Sequence, residues 1–474
     1  MTAENSIEEE LELETALLHD NTISPRDDRR ARGQTLREAI PHKLHSGWKA
    51  PDNRPDPIDV LEKSNEGRLE DLIPVRYGRM MPSPFTFYRG AAALMAWDLS
   101  TTPNSKINVQ ACGDCHLLNF GAFGTPERNV VFDINDFDET LPAPWEWDLK
   151  RLAVSFVLAA RENGLKEKIV REAAETVGRA YRQKMTEFSR MSILDIWYYK
   201  VDWSHVIEAT SDERLQEYRK GKLKKEMKRT VQDYYFPKLT QQLNGRYVFK
   251  DNPPLMYHTP VKNSNAYFKS VKEAIELYTE SLQEDRQALV RRYRLEDVAI
   301  KVVGIGSVGT LCAVALMFAP DNEPLILQMK EARLSVLEPY IGKSEYTNQG
   351  RRVVAGQRIA QSASDIFLGW TELDKKHFYI RQLRDTKLKP EPELWEGPQL
   401  MENAEVMAST LARAHARTGD AATIRGYLGS RDTFETALAE FAVQYADQVQ
   451  VDYEKLLMAV ASGRLKAKTD QEAI

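Results

Sequence analysis

The segment from Asp297 to Ala332, DVAIKVVGIGSVGTLCAVALMFAPDNEPLILQMKEA, limits the fold more than any other part of the chain. Three runs rich in Val, Ile and Leu, at 298–303, 311–318 and 325–330, read as strands broken by glycines and by the turn PDNEP. Connections this short join antiparallel neighbours, because a parallel pair needs a crossover of about a dozen residues or more. A small antiparallel sheet is therefore expected here, followed by a helix near 352–366 and two more strands around IFLGWTEL and HFYIRQL.

Helical patterns surround this β region. SPFTFYRGAAALMAWDL starts with the cap signal Ser83 and the first-turn signal Pro84. In PAPWEWDLKRLAVSFVLAARENG, residues Leu149, Leu152, Ala153, Phe156, Val157 and Ala160 recur at helical spacing. Further helical patterns fill 167–243, 265–293 and most of the chain beyond 390. Residues 1–20 carry seven acids and no Lys or Arg, and GWKAPDNRPDPIDVL reads as extended linker. The expected organisation is a mobile arm and linker at 1–68, a mainly helical lobe at 69–294, a β-rich lobe at 295–389, and closing helices at 390–474.

A net charge of -5 argues against a nucleic-acid binder, and the basic run RKGKLKKEMKR at 219–229 reads as a solvated helix face. No apolar run approaches a membrane span, and no signal peptide opens the sequence, so a cytoplasmic protein without a membrane partner is expected. That bears on ACGDCHLLNFG, whose Cys112, Cys115 and His116 have the spacing of a haem attachment site. Haem attachment suits exported chains, and zinc lacks a second ligand pair, which leaves a redox dithiol as a remote alternative to two buried thiols.

Gly304, Gly306 and Gly309 form G-x-G-x-x-G, but the motif runs into a strand rather than the helix of a dinucleotide fold. A glycine hairpin between strands can instead cover nucleotide phosphates, with a lysine on the next strand holding them. Lys330 occupies that place. In GDCHLLN, Asp114 precedes Asn119 by five residues, the offset between the base and the metal-binding Asn of phosphotransferases. NVVFDINDFDE supplies Asp133, Asp136 and Asp138; Asp136 fits the metal aspartate best, with Asp138 as alternate.

CGDCHLLNFG, FDINDFDE and PAPWEWDLKRLA together resemble the H-G-D-x-H-x-x-N, I-D-F/W and x-D-L-A succession of aminoglycoside- and choline-kinase-like phosphotransferases. The resemblance implies Asp114 as base, His116 and Asn119 as the following loop residues, Asp136 as metal ligand and Asp148 as a structural aspartate. Cys112 departs from the family's first His. The catalytic loop also precedes the glycine hairpin, the reverse of kinase order, and AEVMASTLARAHARTGD resembles the helix that should come just before that loop. The order implies an α+β, two-lobe, kinase-like fold that is circularly permuted. LIPVRYGRMMPSPFTFYRGAAALMAWDL, CGDCHLLNFG, NDFDET and YIRQLRDTK also resemble a bacterial family known as domain of unknown function 2252, over about 30–435.

The expected activity is ATP- and Mg²⁺-dependent phosphoryl transfer to an unidentified small-molecule or protein acceptor, with Arg89 a candidate substrate or phosphate contact. Transfer of AMP on the same site and a non-catalytic pseudokinase are the alternatives. The helix after Lys330 offers Gln357 and Gln361 but no Glu. That leaves Glu338 or Glu345, or no carboxylate at all, as the lysine's partner.

Overall fold

The computed structural model describes residues 24–470 and 472, apart from 230, 260 and 384–386; the acidic block at 1–20 lies outside the described residues. The fold is a mixed α+β arrangement with small antiparallel sheets. In chain order the first half carries helices α1 (Arg26–Ala39), α2 (Pro57–Lys63), α3 (Ile73–Met80), α4 (Pro84–Gly90) and α5 (Ala92–Ser100). Strands β1 (Asn108–Ala111), β2 (Phe120–Gly124), β3 (Val130–Ile134) and β4 (Leu141–Pro144) follow, then α6 (Trp145–Glu162) and α7 (Glu167–Phe188). Smaller elements then lead to a long helix, α8 (Val261–Glu280).

The apolar segment becomes β8 (Arg294–Lys301), β9 (Cys312–Ala319) and β10 (Glu323–Ala332), after the short strands β5 (Thr240–Leu243), β6 (Arg246–Phe249) and β7 (Met256–Tyr257). Next come α9 (Gln349–Ala360), β11 (Gly369–Leu373), β12 (Lys376–Gln382) and β13 (Lys387–Leu388). Helices α10 (Gly397–Thr418), α11 (Ala421–Leu428) and α12 (Thr433–Ala461) complete the chain. The main sheet has six strands in the order β11-β12-β10-β9-β8-β7, its pairs all antiparallel.

Period-two alternation explains how this sheet works. Ala313, Ala315 and Met317 of β9, with Leu325, Leu327 and Met329 of β10, face a core closed by Val271, Ala274, Ile275 and Tyr278 of α8. Val314, Leu316, Phe318 and Ile326 point to the opposite face, against Phe249. Continuing along that second face, β10 presents Gln328 and Lys330, and β12 presents Arg381 and Tyr379 in register with them. The sheet thus turns a charged strip toward the helical body.

The helical body is one large core in which Leu149, Leu152, Ala153, Phe156, Val157 and Ala160 are all buried, as their spacing predicts. The expected caps also form. Ser83 Oγ accepts from the Thr86 amide at 3.2 Å, and Thr86 Oγ1 accepts from the Ser83 amide at 2.9 Å.

Three expectations differ from what forms. Residues 24–68, read as arm and linker, pack onto the body: Ile58 and Leu61 are core, and Arg54 bridges Asp98 and Asp452 with contacts of 2.7–2.8 Å. Such polar anchoring leaves no apolar period to read. The helical stretch at 167–243 breaks before its end, because Thr240–Leu243 pairs with Arg246–Phe249 around Asn244 and Gly245, both at positive φ. Finally, α9 ends at Ala360 rather than 366. Among the described residues no helix is long and apolar enough to cross a membrane.

Candidate functional site

The loop after β1 is fixed from below by α6. Asp148, in the first turn of that helix, accepts from the amides of Cys112 at 2.6 Å and Gly113 at 2.9 Å. His415 of α10 lies 3.3 Å from the same carboxylate and is itself 2.8 Å from the Tyr181 hydroxyl. Gly113 sits at φ +81°, and a Cβ there would come within 2.5 Å of the Glu139 carbonyl oxygen, so only glycine fits. The Cys112 thiol donates to the Asp136 carbonyl oxygen at 3.3 Å, tying the two acidic loops together.

One turn beyond Asp148, Arg151 donates from Nε to Asp114 Oδ1 at 2.6 Å and lies 4.3 Å over the Tyr88 ring. Burial raises the Asp114 carboxyl and Arg151 opposes the rise, leaving it at about 6. Asn119 Nδ2 donates to the Asp114 carbonyl at 2.6 Å, and the Asn119 carbonyl accepts from the Asn135 amide at 2.7 Å. His116 is buried, with Nε2 at 3.9 Å from Asp114 Oδ2 and Nδ1 without a hydrogen bond among the described residues. Burial, then Arg89 and Arg151, hold its pKa well below the usual range, so the ring is neutral.

The three aspartates of the next loop separate by environment. Asp133 is fully buried, paired with Arg413 and accepting from Ser362, and does not line the cleft. Asp136 lines the cleft, with Oδ2 at 3.3 Å from Lys330 Nζ. Burial opposes its ionisation, but Lys330, Arg381 and Lys387 together hold its pKa below the ordinary value. Asp138 turns back into the fold, where it pairs with Lys330 and accepts from Tyr379 Oη at 2.8 Å and Ser307 Oγ at 3.3 Å. Lys330 therefore finds its carboxylates on this loop and not at Glu338 or Glu345.

Gly304 and Ser307 line the cleft from the hairpin between β8 and β9. Gly306 lies against the Arg89 carbonyl, and Gly309 is held near Arg68, away from the opening. The cleft between sheet and helical body measures about 530 Å³. Its apolar share includes Phe123, Leu325, Ile366, Phe367 and Leu383. Its charged share is seven Lys and Arg against Asp136 and Asp365, a positive cleft in a negatively charged chain.

Among the described residues no three His, Cys, Asp or Glu side chains gather as a metal cage. Mg²⁺ commonly takes one or two protein carboxylates and completes its shell with substrate phosphates and water. Asp136 offers one such carboxylate at the cleft wall, and Asn119, on the same cleft, offers an amide oxygen. Cys112, Cys115 and Cys312 are free and buried, and Cys115 is pushed well above the thiol range by burial and by Cys112, the opposite of a reactive dithiol. The basic helix at 219–229 is partly internal, since Arg219 is buried and donates to Thr210 Oγ1 at 2.6 Å.

Several working residues escape the sequence reading. Arg151 carries a signal, three positions after Asp148 and so on the same helix face. Arg352 of α9 carries none: its guanidinium donates to the Thr140 carbonyl at 2.6 Å and the Asp138 carbonyl at 2.8 Å, bracing the acidic loop from across the cleft. Glu139, pushed up to about 7 by burial, accepts from the Val336 amide at 2.7 Å.

Residues 68–459 match a family model described as an uncharacterized protein conserved in bacteria, DUF2252. The chain belongs to that family. No curated protein and no solved structure matches it.

Proposed function

We propose that this member of DUF2252 is an ATP- and Mg²⁺-dependent phosphotransferase whose kinase-like site is assembled in circularly permuted order. The observation that carries the reading is the meeting of Lys330 with Asp136 and Asp138, nearly two hundred residues earlier, at the wall of a positive cleft that Asn119, Gly304 and Ser307 also line. The close approach of α10 to β1 supports the permuted reading. The end of α10 abuts β1, with Thr418 Oγ1 accepting from the Gln110 amide at 3.2 Å, so the helix that should precede the catalytic loop touches the strand that leads into it.

In this reading Lys330, Gly304 and Ser307 receive the nucleotide phosphates, and the apolar lining receives the base. Asn119 and Asp136 hold Mg²⁺, which supplies charge neutralisation on the phosphates when bound. Asp114, poised at about 6, takes the proton of the acceptor hydroxyl or amine.

The test is thermal unfolding of the full chain with ATP or ADP, with and without Mg²⁺, beside Lys330→Ala and Asp136→Asn. Nucleotide at about 100 times its dissociation constant adds about 2.7 kcal/mol, a rise of about 3 °C for a chain of this size. A Mg²⁺-dependent rise absent from both variants is expected, and no rise in folded wild type overturns the reading. ATP labelled at the γ- or α-phosphate then distinguishes phosphoryl from AMP transfer, and binding without turnover identifies a pseudokinase.

A further inference from the structure

We infer that Arg89 grips the γ-phosphate and stabilises the charge gathered on it during transfer, an inference that rests on the phosphotransferase reading above. Among the described arginines, Arg89 and Arg417 have buried nitrogens and make no hydrogen bond, and of the two only Arg89 lines the cleft. Arg76 reaches Asn65 and Gly90, Arg151 reaches Asp114, and Arg352 reaches the Asp138–Thr140 backbone. The Arg89 guanidinium makes no hydrogen bond or ion pair among the described residues, and its Nε is buried without a partner. Burying that Nε without a partner costs stability, a cost that an acceptor on a bound ligand would offset.

Its position matches the role. The side chain lines the cleft with Asn119, Gly304 and Lys330. Its own carbonyl lies 3.5 Å from where a Cβ on Gly306 would be, which puts the residue beneath the hairpin tip. The backbone on either side is clamped: the Tyr88 carbonyl accepts from Arg151 Nη2 at 3.2 Å and the Gly90 carbonyl from Arg76 Nη2 at 3.0 Å. The fields at Asp114 and His116 both include Arg89. An unengaged guanidinium thus lines the cleft beside the hairpin, with its charge felt at Asp114 and His116.

The step balances without another reactant. The acceptor oxygen or nitrogen bonds to the γ-phosphorus as the bond to the β–γ bridging oxygen breaks, that electron pair departs with ADP, and the acceptor proton goes to Asp114. Arg89 donates N–H to the non-bridging oxygens and is unchanged.

The experiment uses the full chain with Mg²⁺, measuring ATP and ADP affinity and hydrolysis of ATP with water as acceptor, for wild type, Arg89→Ala, Arg89→Lys and Lys330→Ala. Wild type should prefer ATP by about tenfold or more. Arg89→Ala should lose that preference with ADP affinity unchanged, and its hydrolysis should fall by about 10³-fold. Arg89→Lys should recover only part, because an ammonium lacks the guanidinium fork. The unfolding temperature of nucleotide-free Arg89→Ala should not drop. An unchanged ATP-to-ADP ratio, or equal loss of both nucleotides with a lowered unfolding temperature, overturns the inference. If Arg89→Ala fails to fold, the ratio in Arg89→Lys decides. Failure of wild type to bind either nucleotide removes the phosphotransferase reading as well, whereas binding abolished by Lys330→Ala but indifferent to Arg89 removes this inference alone.

Discussion

Asp114 is held at about 6 by opposing influences, burial raising it and Arg151 lowering it. In the proposed reaction the ionised form is the base, so activity should fall about tenfold per pH unit below 6 and level off above it. Asp114→Asn should lower turnover by about 10²–10⁴-fold while leaving Mg²⁺-dependent ATP binding in place. A rate independent of pH between 5 and 7 in stable protein would remove Asp114 from that role. The Arg413–Asp133 pair is of a different kind, with both side chains fully buried. Arg413→Met should destabilise the fold by about 3–5 kcal/mol in urea unfolding, because it strands a carboxylate in the interior. The three thiols should stay unreactive toward a disulfide reagent until the chain unfolds, in keeping with their burial.

At the scale of elements, the loop after β1 depends on backbone geometry as much as on its acids. Gly113→Ala should push the loop off Asp148 and abolish ATP-dependent turnover while circular dichroism keeps the helical signal. Retained turnover would show that the loop tolerates the shift. The elements most legible in the sequence are those whose apolar residues follow one period, α6 by its buried stripe and β9 by filling two cores with alternate residues. The hairpin at 240–249 is not legible, because its residues are mostly exposed and polar and only the Asn-Gly turn marks it. Segment spacing brings Asp114 and Asn119 into one loop and Lys330 onto the facing strand. It says nothing about Arg352 or Tyr379, whose contacts depend on how α9 and β12 dock across the cleft.

At the scale of the whole molecule, the N-terminal segment is held to the helical body by buried charge as well as by the apolar Trp48, Ile58 and Leu61. Arg54 contacts Asp98 and Asp452, two carboxylates on helices far apart in sequence, with all three side chains nearly inaccessible. A chain beginning at Leu69 should therefore lose at least about 3–5 kcal/mol from this cluster alone, and more from Ile58 and Leu61. Calorimetry of the shortened chain measures that directly, and an unchanged unfolding temperature would mean the segment is dispensable.

The Lys330 triad also has a temporal side. Asp136 and Asp138 leave the ribosome nearly two hundred residues before the lysine that neutralises them. Through that interval the nascent helical half carries two neighbouring carboxylates facing an unmade sheet, in want of a counter-ion. In growing chains domains fold as units, the N-terminal one first. Here the acidic loop meets its counter-ion only when β10 arrives, and the cleft is complete only once the chain has passed 389, since Gln357, Arg381 and Lys389 also line it.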